Sequence, residues 1–305
     1  MNSPIHWIVF NIFVLVAVAL DLGVFHRRPH KITVREGLIW SAIWMSGAAL
    51  FAAGVYHFYG AQSALEFSTG YLIEKSLSVD NLFVFLVLFR TFGVAAEYQH
   101  RVLAWGILGA LIMRGLMIAA GAALIERFSW IMYVFGAFLI LAGIHMMFTS
   151  EMGTHPEKNW IVRFLAKHLR MTKSFSAERF FVREQGLLYA TPMFLVLLVV
   201  EVTDVTFAVD SIPAVFGITR DAFIVYTSNV FAILGLRTLY FLLAGVLDRL
   251  TYLKWGLAAV LVFVGAKMLV EKWMHISVLS SLGIVMGILA IATVISLLAK
   301  PKEIT

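Results

Sequence analysis

Glu74-Lys75-Ser76-Leu77-Ser78-Val79-Asp80-Asn81 is echoed in the second half of the chain by Asp204-Val205-Thr206-Phe207-Ala208-Val209-Asp210-Ser211. Each stretch carries an acid, a hydroxyl two residues on, then Val-Asp and a small polar residue, and each is embedded in apolar sequence of membrane-spanning character. An Asp at the centre of a spanning helix costs about 2.5 to 3.5 kcal/mol on insertion scales, so such acids are expected to face a protein interior or a cavity. The two stretches are therefore read as the walls of a cation pathway.

Composition sets the class. The chain has 305 residues, 61% hydrophobic and 14% charged, which excludes an ordinary globular domain and points to an integral membrane protein. The first apolar segment, 5–25, has no basic leader and is followed by basic residues without a small-residue cleavage site, so it reads as a retained span. Without a cysteine, the chain has no disulfide, no thiolate metal ligand and no cysteine redox chemistry of its own.

Apolar runs of spanning length fall at 5–25, 37–57, 71–92, 102–125, 129–149, 191–212, 222–246, 254–270 and 276–298, which predicts nine transmembrane helices. With the N-terminus outside, the cytoplasmic loops collect 17 Lys and Arg residues against three outside: Arg127, Arg220 and Lys272. This asymmetry predicts an N-out, C-in topology and accounts for most of the net charge of +6, so nucleic acid is not an expected partner. The long polar interruption, 150–190, is read as a basic cytoplasmic linker. Its Trp160–Arg170 stretch alternates apolar and basic residues at helical spacing, as an interfacial helix would.

The two halves are related beyond the acidic motifs. Leu111-Ile112-Met113-Arg114 aligns with Leu234-Gly235-Leu236-Arg237, and Gly143-Ile144-His145-Met146 with Gly265-Ala266-Lys267-Met268. Three spans per repeat and a cytoplasmic connection predict inverted repeats about a pseudo-two-fold axis in the membrane plane. The expected organisation is peripheral helices in 1–60, a first repeat in 61–149, the linker, a second repeat in 191–270, and a terminal helix and tail in 271–305.

Six acids lie inside predicted spans: Asp21, Glu74, Asp80, Glu201, Asp204 and Asp210. Glu201 and Asp204 share a helix face, whereas Glu74 and Asp80, like Asp204 and Asp210, lie about 120° apart around an unbroken helix. Their convergence on one ion predicts helix breaks, one at Ser211-Ile212-Pro213 and a softer one around Ser78–Asn81. The expected metal ligands are Glu74, Asp80, Asn81, Glu201, Asp204, Asp210 and Ser211. Oxygen donors of this kind suit Mg²⁺, Ca²⁺ or Mn²⁺ and disfavour Cu(I). Clustered carboxylates in low dielectric also raise one another's proton affinity, so protons and metal should compete. Each residue has a structural alternative: Asp80 and Asp210 as partners of Arg114 and Arg237, Lys75 and Lys267 snorkelling outward, Asp21 as an interfacial charge, and Ser78, Asn81, Thr203 and Ser211 as interhelical hydrogen bonders.

Tyr71–Asn81 and Val200–Ala214 resemble the two hallmark motifs of the TerC/Alx family of bacterial membrane proteins. Arg183–Pro192 and Thr227–Arg237 are similar to further family stretches, and the resemblance covers nearly the whole chain. It is strongest to the Alx-like branch and implies an inner-membrane exporter of Mn²⁺ with the motif acids as its pathway. Manganese comes from this resemblance; the residues alone reach only a hard divalent cation. The expected partners are thus Mn²⁺, protons and the lipid bilayer, with no resident cofactor, and a homo-oligomer is left open. A non-transporting scaffold, with acids paired to Arg114 and Arg237 and a partner-docking basic loop, is the alternative. An enzyme is not expected, since no Ser/His or HExxH arrangement is present.

Overall fold

A computed structural model describes residues 4–23, 34–128, 130–148, 172, 179–184, 187–243, 252–274 and 276–298. The described helices are α1 (Pro4–Gly23), α2 (Val34–Thr91), α3 (Ala96–Arg127), α4 (Ile131–Phe148), α5 (Pro192–Phe216), α6 (Ala222–Leu234), α7 (Leu236–Leu243), α8 (Leu253–Val270) and α9 (Val278–Leu298). Six helices among the described residues are long and apolar enough to cross a membrane: α3, α4, α5, α8, α9 and the 35–78 part of α2. Apolar helices in α1 and α6 are shorter. The chain is an all-α polytopic membrane protein.

Large apolar side chains cover the outside: Leu50, Leu116, Leu141, Ile291 and Leu298 are each well exposed, as lipid-facing residues are. The inside is organised on α6, in which every residue from Phe223 to Leu234 is buried. α1, α2 and α3 pack directly on α6, α5 packs on α3, and α4 packs on α8. Rings fill the seam between α1, α2 and α6: Phe51 lies 5.0 Å from both Phe67 and Phe231, and Phe10 lies 5.8 Å from Phe223. The α4–α8 contact is a backbone approach. A Cβ on Gly143 would fall 2.7 Å from the Ala258 carbonyl oxygen, and one on Gly136 2.9 Å from that of Gly265. Small residues let two helices meet this closely without a hydrophobic driving force between them.

The helix breaks are not where the sequence placed them. α2 is helical through residues 78–81, and α5 runs unbroken from Pro192 to Phe216. Pro213 sits in the last turn of α5, where its missing N–H removes one bond and little helix remains to redirect. Interruptions occur instead at glycines. Gly60 splits α2 with φ 89° and ψ 173°, a conformation open essentially to glycine alone, and Gly235 separates α6 from α7. The expected length of the motif-bearing helices holds: α5 has 25 residues, about 37 Å against a hydrocarbon core of about 30 Å.

A small β-hairpin departs from the wholly helical expectation. β1 (Phe181–Glu184) pairs antiparallel with β2 (Leu187–Ala190), and the chain passes from β2 into α5 through Thr191, which hydrogen-bonds back to the Arg179 carbonyl at 2.6 Å. The Trp160–Arg170 helix expected in the linker lies outside the described residues.

Candidate ion site

Four helices bring the polar core together. α3 supplies Arg114, 2% exposed in the middle of an apolar helix. Its guanidinium donates to both oxygens of Asp204 on α5, from Nε at 3.2 Å and Nη2 at 3.0 Å. Nη1 donates to Glu74 on α2, to Asn229 Oδ1 on α6 at 2.9 Å and to Ser211 Oγ on α5 at 3.4 Å. The planar fork of Arg suits this bidentate hold on one carboxylate while leaving a nitrogen for others. Glu74 is fully buried and Asp204 is 4% exposed, so all three charges are out of water.

The set is incompletely satisfied. Glu74 Oε2, Ser78 Oγ and Asn229 Nδ2 are buried without a hydrogen-bond partner. Two carboxylates against one guanidinium leave a formal surplus of one negative charge. Beside them, Phe85, Leu103, Gly106, Ile107, Ala110, Val200, Ile233 and Leu236 line a small, mainly apolar cavity of about 10 Å³, room for about one water, and Asp204 forms part of its wall.

Of the expected ligands, Glu74, Asp204 and Ser211 meet at Arg114. Asn81 is buried at 2% exposure but is not among the hydrogen-bond partners of Arg114. Glu201 lies one turn before Asp204 with its carboxylate packed into the space left by Gly109 on α3. Asp210 is half-buried and has no hydrogen bond or ion pair among the described residues. The Asp80 side chain lies outside the described residues, as do those of Asp21 and Arg237. Among the described residues no three acids or histidines form a metal-holding group.

Several alternatives are corrected by the geometry. Arg114 pairs with Glu74 and Asp204, the first acids of the two motifs, and not with Asp210. Lys75 does not snorkel but turns inward to the Ala232 carbonyl at 3.1 Å, and Lys267 is 4% exposed. Thr203 is no interhelical bonder, since its hydroxyl donates to Val199 in its own helix at 2.6 Å. Asn229 was not singled out from the sequence. The signal available was the polar run Thr227-Ser228-Asn229 inside an apolar helix that the fold buries on all sides.

The sequence model of the integral membrane protein TerC family matches residues 59–303. The chain belongs to the TerC family. This TerC chain is 48% identical over 298 residues to a Myxococcus xanthus protein named "Uncharacterized membrane protein STKORF319", covering 98% of this chain and 93% of that one. It is 49% identical over 306 residues to "Putative membrane-bound redox modulator Alx" of Escherichia coli K12, covering 97% and 95% of the two chains. A Rickettsia bellii membrane protein is 38% identical over 294 residues, covering 96% and 97%. No solved structure matches.

Proposed function

We propose that this TerC-family protein is a secondary transporter that exports Mn²⁺ across the bacterial inner membrane in exchange for protons. One observation carries the reading. The first acids of two related motifs close on a single buried guanidinium, with one carboxylate oxygen unpartnered and an adjoining cavity reaching Asp204. Surplus negative charge in low dielectric favours a cation or a proton, and both would compete for the same oxygens. Arg114 then acts as the resident counter-charge: an arriving divalent ion takes a carboxylate from it, and proton binding releases the ion. Glu74, Asp204 and Ser211 form the centre, with Asp80, Asn81, Glu201 and Asp210 along the route.

The helix packing supports the inverted-repeat reading. Exchanging the second arm of α2 with α5, α3 with α6 and α4 with α8 maps the α2–α6 contact onto α5–α3 and the α4–α8 contact onto itself. With the N-terminus outside, as the basic residues favour, Phe85, Leu103 and Val200 put the cavity in the cytoplasmic half, the side from which an exporter loads. The relatives' "redox modulator" name fits a chain without thiols if redox balance is altered through the metal moved.

The scaffold reading has one observation of its own: Arg114 pairs with two of the acids, as a structural ion-pair partner would. Mn²⁺ binding measured by electron paramagnetic resonance on the purified protein between pH 5 and 8 separates the two. A transporter binds stoichiometric Mn²⁺ with an affinity that weakens about tenfold per pH unit for each proton displaced, and Glu74→Gln loses the ion. A scaffold binds no stoichiometric Mn²⁺ at any pH in that range.

A further inference from the structure

The ion site does not explain Lys75. It follows Glu74 on α2, about 100° further round the helix, so the two side chains leave in different directions. Glu74 goes to Arg114; Lys75 crosses to the end of α6, where its ammonium donates to the Ala232 carbonyl at 3.1 Å. That carbonyl is one of the last four of α6, which a helix end leaves without an intrahelical donor. α6 stops at Leu234, Gly235 turns its N–H to the Ile233 carbonyl, and α7 begins at Leu236. A cation at the C-terminal end of a helix also complements its dipole.

The break is packed around the lysine. A Cβ on Gly235 would lie 3.0 Å from Lys75 Nζ and 3.2 Å from Trp44 Cβ, so the turn is closed on both sides. Among the described residues Lys75 has no ion-pair partner, and the Ala232 carbonyl is its one hydrogen-bond acceptor. Ile233 and Leu236, on either side of the break, both line the cavity that Asp204 borders. Rewinding α6 into α7 would return the Leu236 N–H to the Ala232 carbonyl, the ordinary helical bond, and would turn these two residues away from their places in the wall.

We propose that Lys75 is a positioning residue that holds the α6–α7 break open and so keeps the cavity wall in the shape that gives an ion access to Asp204. The inference rests on the transport reading above. It ties the break to the ion site through the shared helix: the residue that clamps the break adjoins the residue that binds Arg114.

The test compares wild type, Lys75→Met and Lys75→Arg in proteoliposomes, with Mn²⁺ flux and Mn²⁺ binding measured on the same preparations. Lys75→Met is expected to lower the maximal flux about tenfold or more while leaving the equilibrium Mn²⁺ affinity within about threefold, the signature of lost access rather than lost ligation. Lys75→Arg, which keeps the cation, is expected to restore at least roughly half the wild-type flux. If wild type transports and Lys75→Met retains more than half its flux, the proposal fails and the transport reading stands. It fails equally if Lys75→Met loses Mn²⁺ binding together with flux, or if Lys75→Arg is as inactive as Lys75→Met while still binding the ion. Absence of flux in wild type overturns the transport reading and the role of Lys75 with it.

Discussion

Arg114 is the residue on which the core's electrostatics turn. Its replacement by Met strands Glu74 and Asp204 as buried carboxylates, and removing one partner of a buried pair costs about 3–5 kcal/mol. Thermal unfolding in detergent should therefore show Arg114→Met strongly destabilised, with Arg114→Met/Asp204→Asn partly recovered because one stranded charge is gone. Asp210→Asn should melt within about 0.5 kcal/mol of wild type, since Asp210 has no polar partner among the described residues to lose. Gly109 offers a second residue-scale test. A Cβ there would overlap the Glu201 carboxylate, so Gly109→Ala should destabilise by about 1–3 kcal/mol, and Gly109→Ala/Glu201→Ala should relieve the overlap. The sequence marked Glu74, Asp204 and Arg114 as costly in lipid, but not who pairs with whom. Arg114 is 40 residues from Glu74 and 90 from Asp204, so their meeting depends on how three helices are rotated against one another, which hydropathy does not encode.

At the scale of elements, the apolar runs are legible as six helices of spanning length among the described residues, against the nine expected, and the excess length of the two motif-bearing stretches is also legible. The breaks fall at Gly60 and Gly235, not at Pro213 or Ser78–Asn81. A proline near a helix end costs one bond, whereas Gly60 at φ 89° takes a conformation that no side chain tolerates easily. Gly60→Ala should accordingly destabilise by about 1–3 kcal/mol although a Cβ there would touch nothing within 4 Å. Gly143→Leu tests the α4–α8 seam differently: its side chain meets the Ala258 carbonyl and Val262, so the helices must part, and unfolding should fall well below that of wild type. The Gly143–Gly265 correspondence read from the repeats proves to lie in this seam, since Gly265 packs against Gly136 on the same pair of helices.

For the whole molecule, the class was fixed by composition, because a chain this apolar has too few polar side chains to cover a water-facing surface. Less legible was the centre. α6 looks like one more apolar segment, yet it is enclosed throughout, and this enclosure is what lets Asn229 reach Arg114 and Lys75 reach Ala232. The central claim is that the acids serve an ion and not only the fold. Glu201 and Asp210 test it best, because neither has a hydrogen-bond partner among the described residues whose loss would confound the result. The measurement is Mn²⁺ flux in proteoliposomes under an imposed pH gradient, comparing wild type with Asp210→Asn and Glu201→Gln. The account predicts proton-driven Mn²⁺ movement by wild type and about a tenfold or greater loss in both variants at unchanged melting temperature. Wild-type vesicles that move no divalent cation while a control transporter does, or variants that transport as well as wild type, would contradict it.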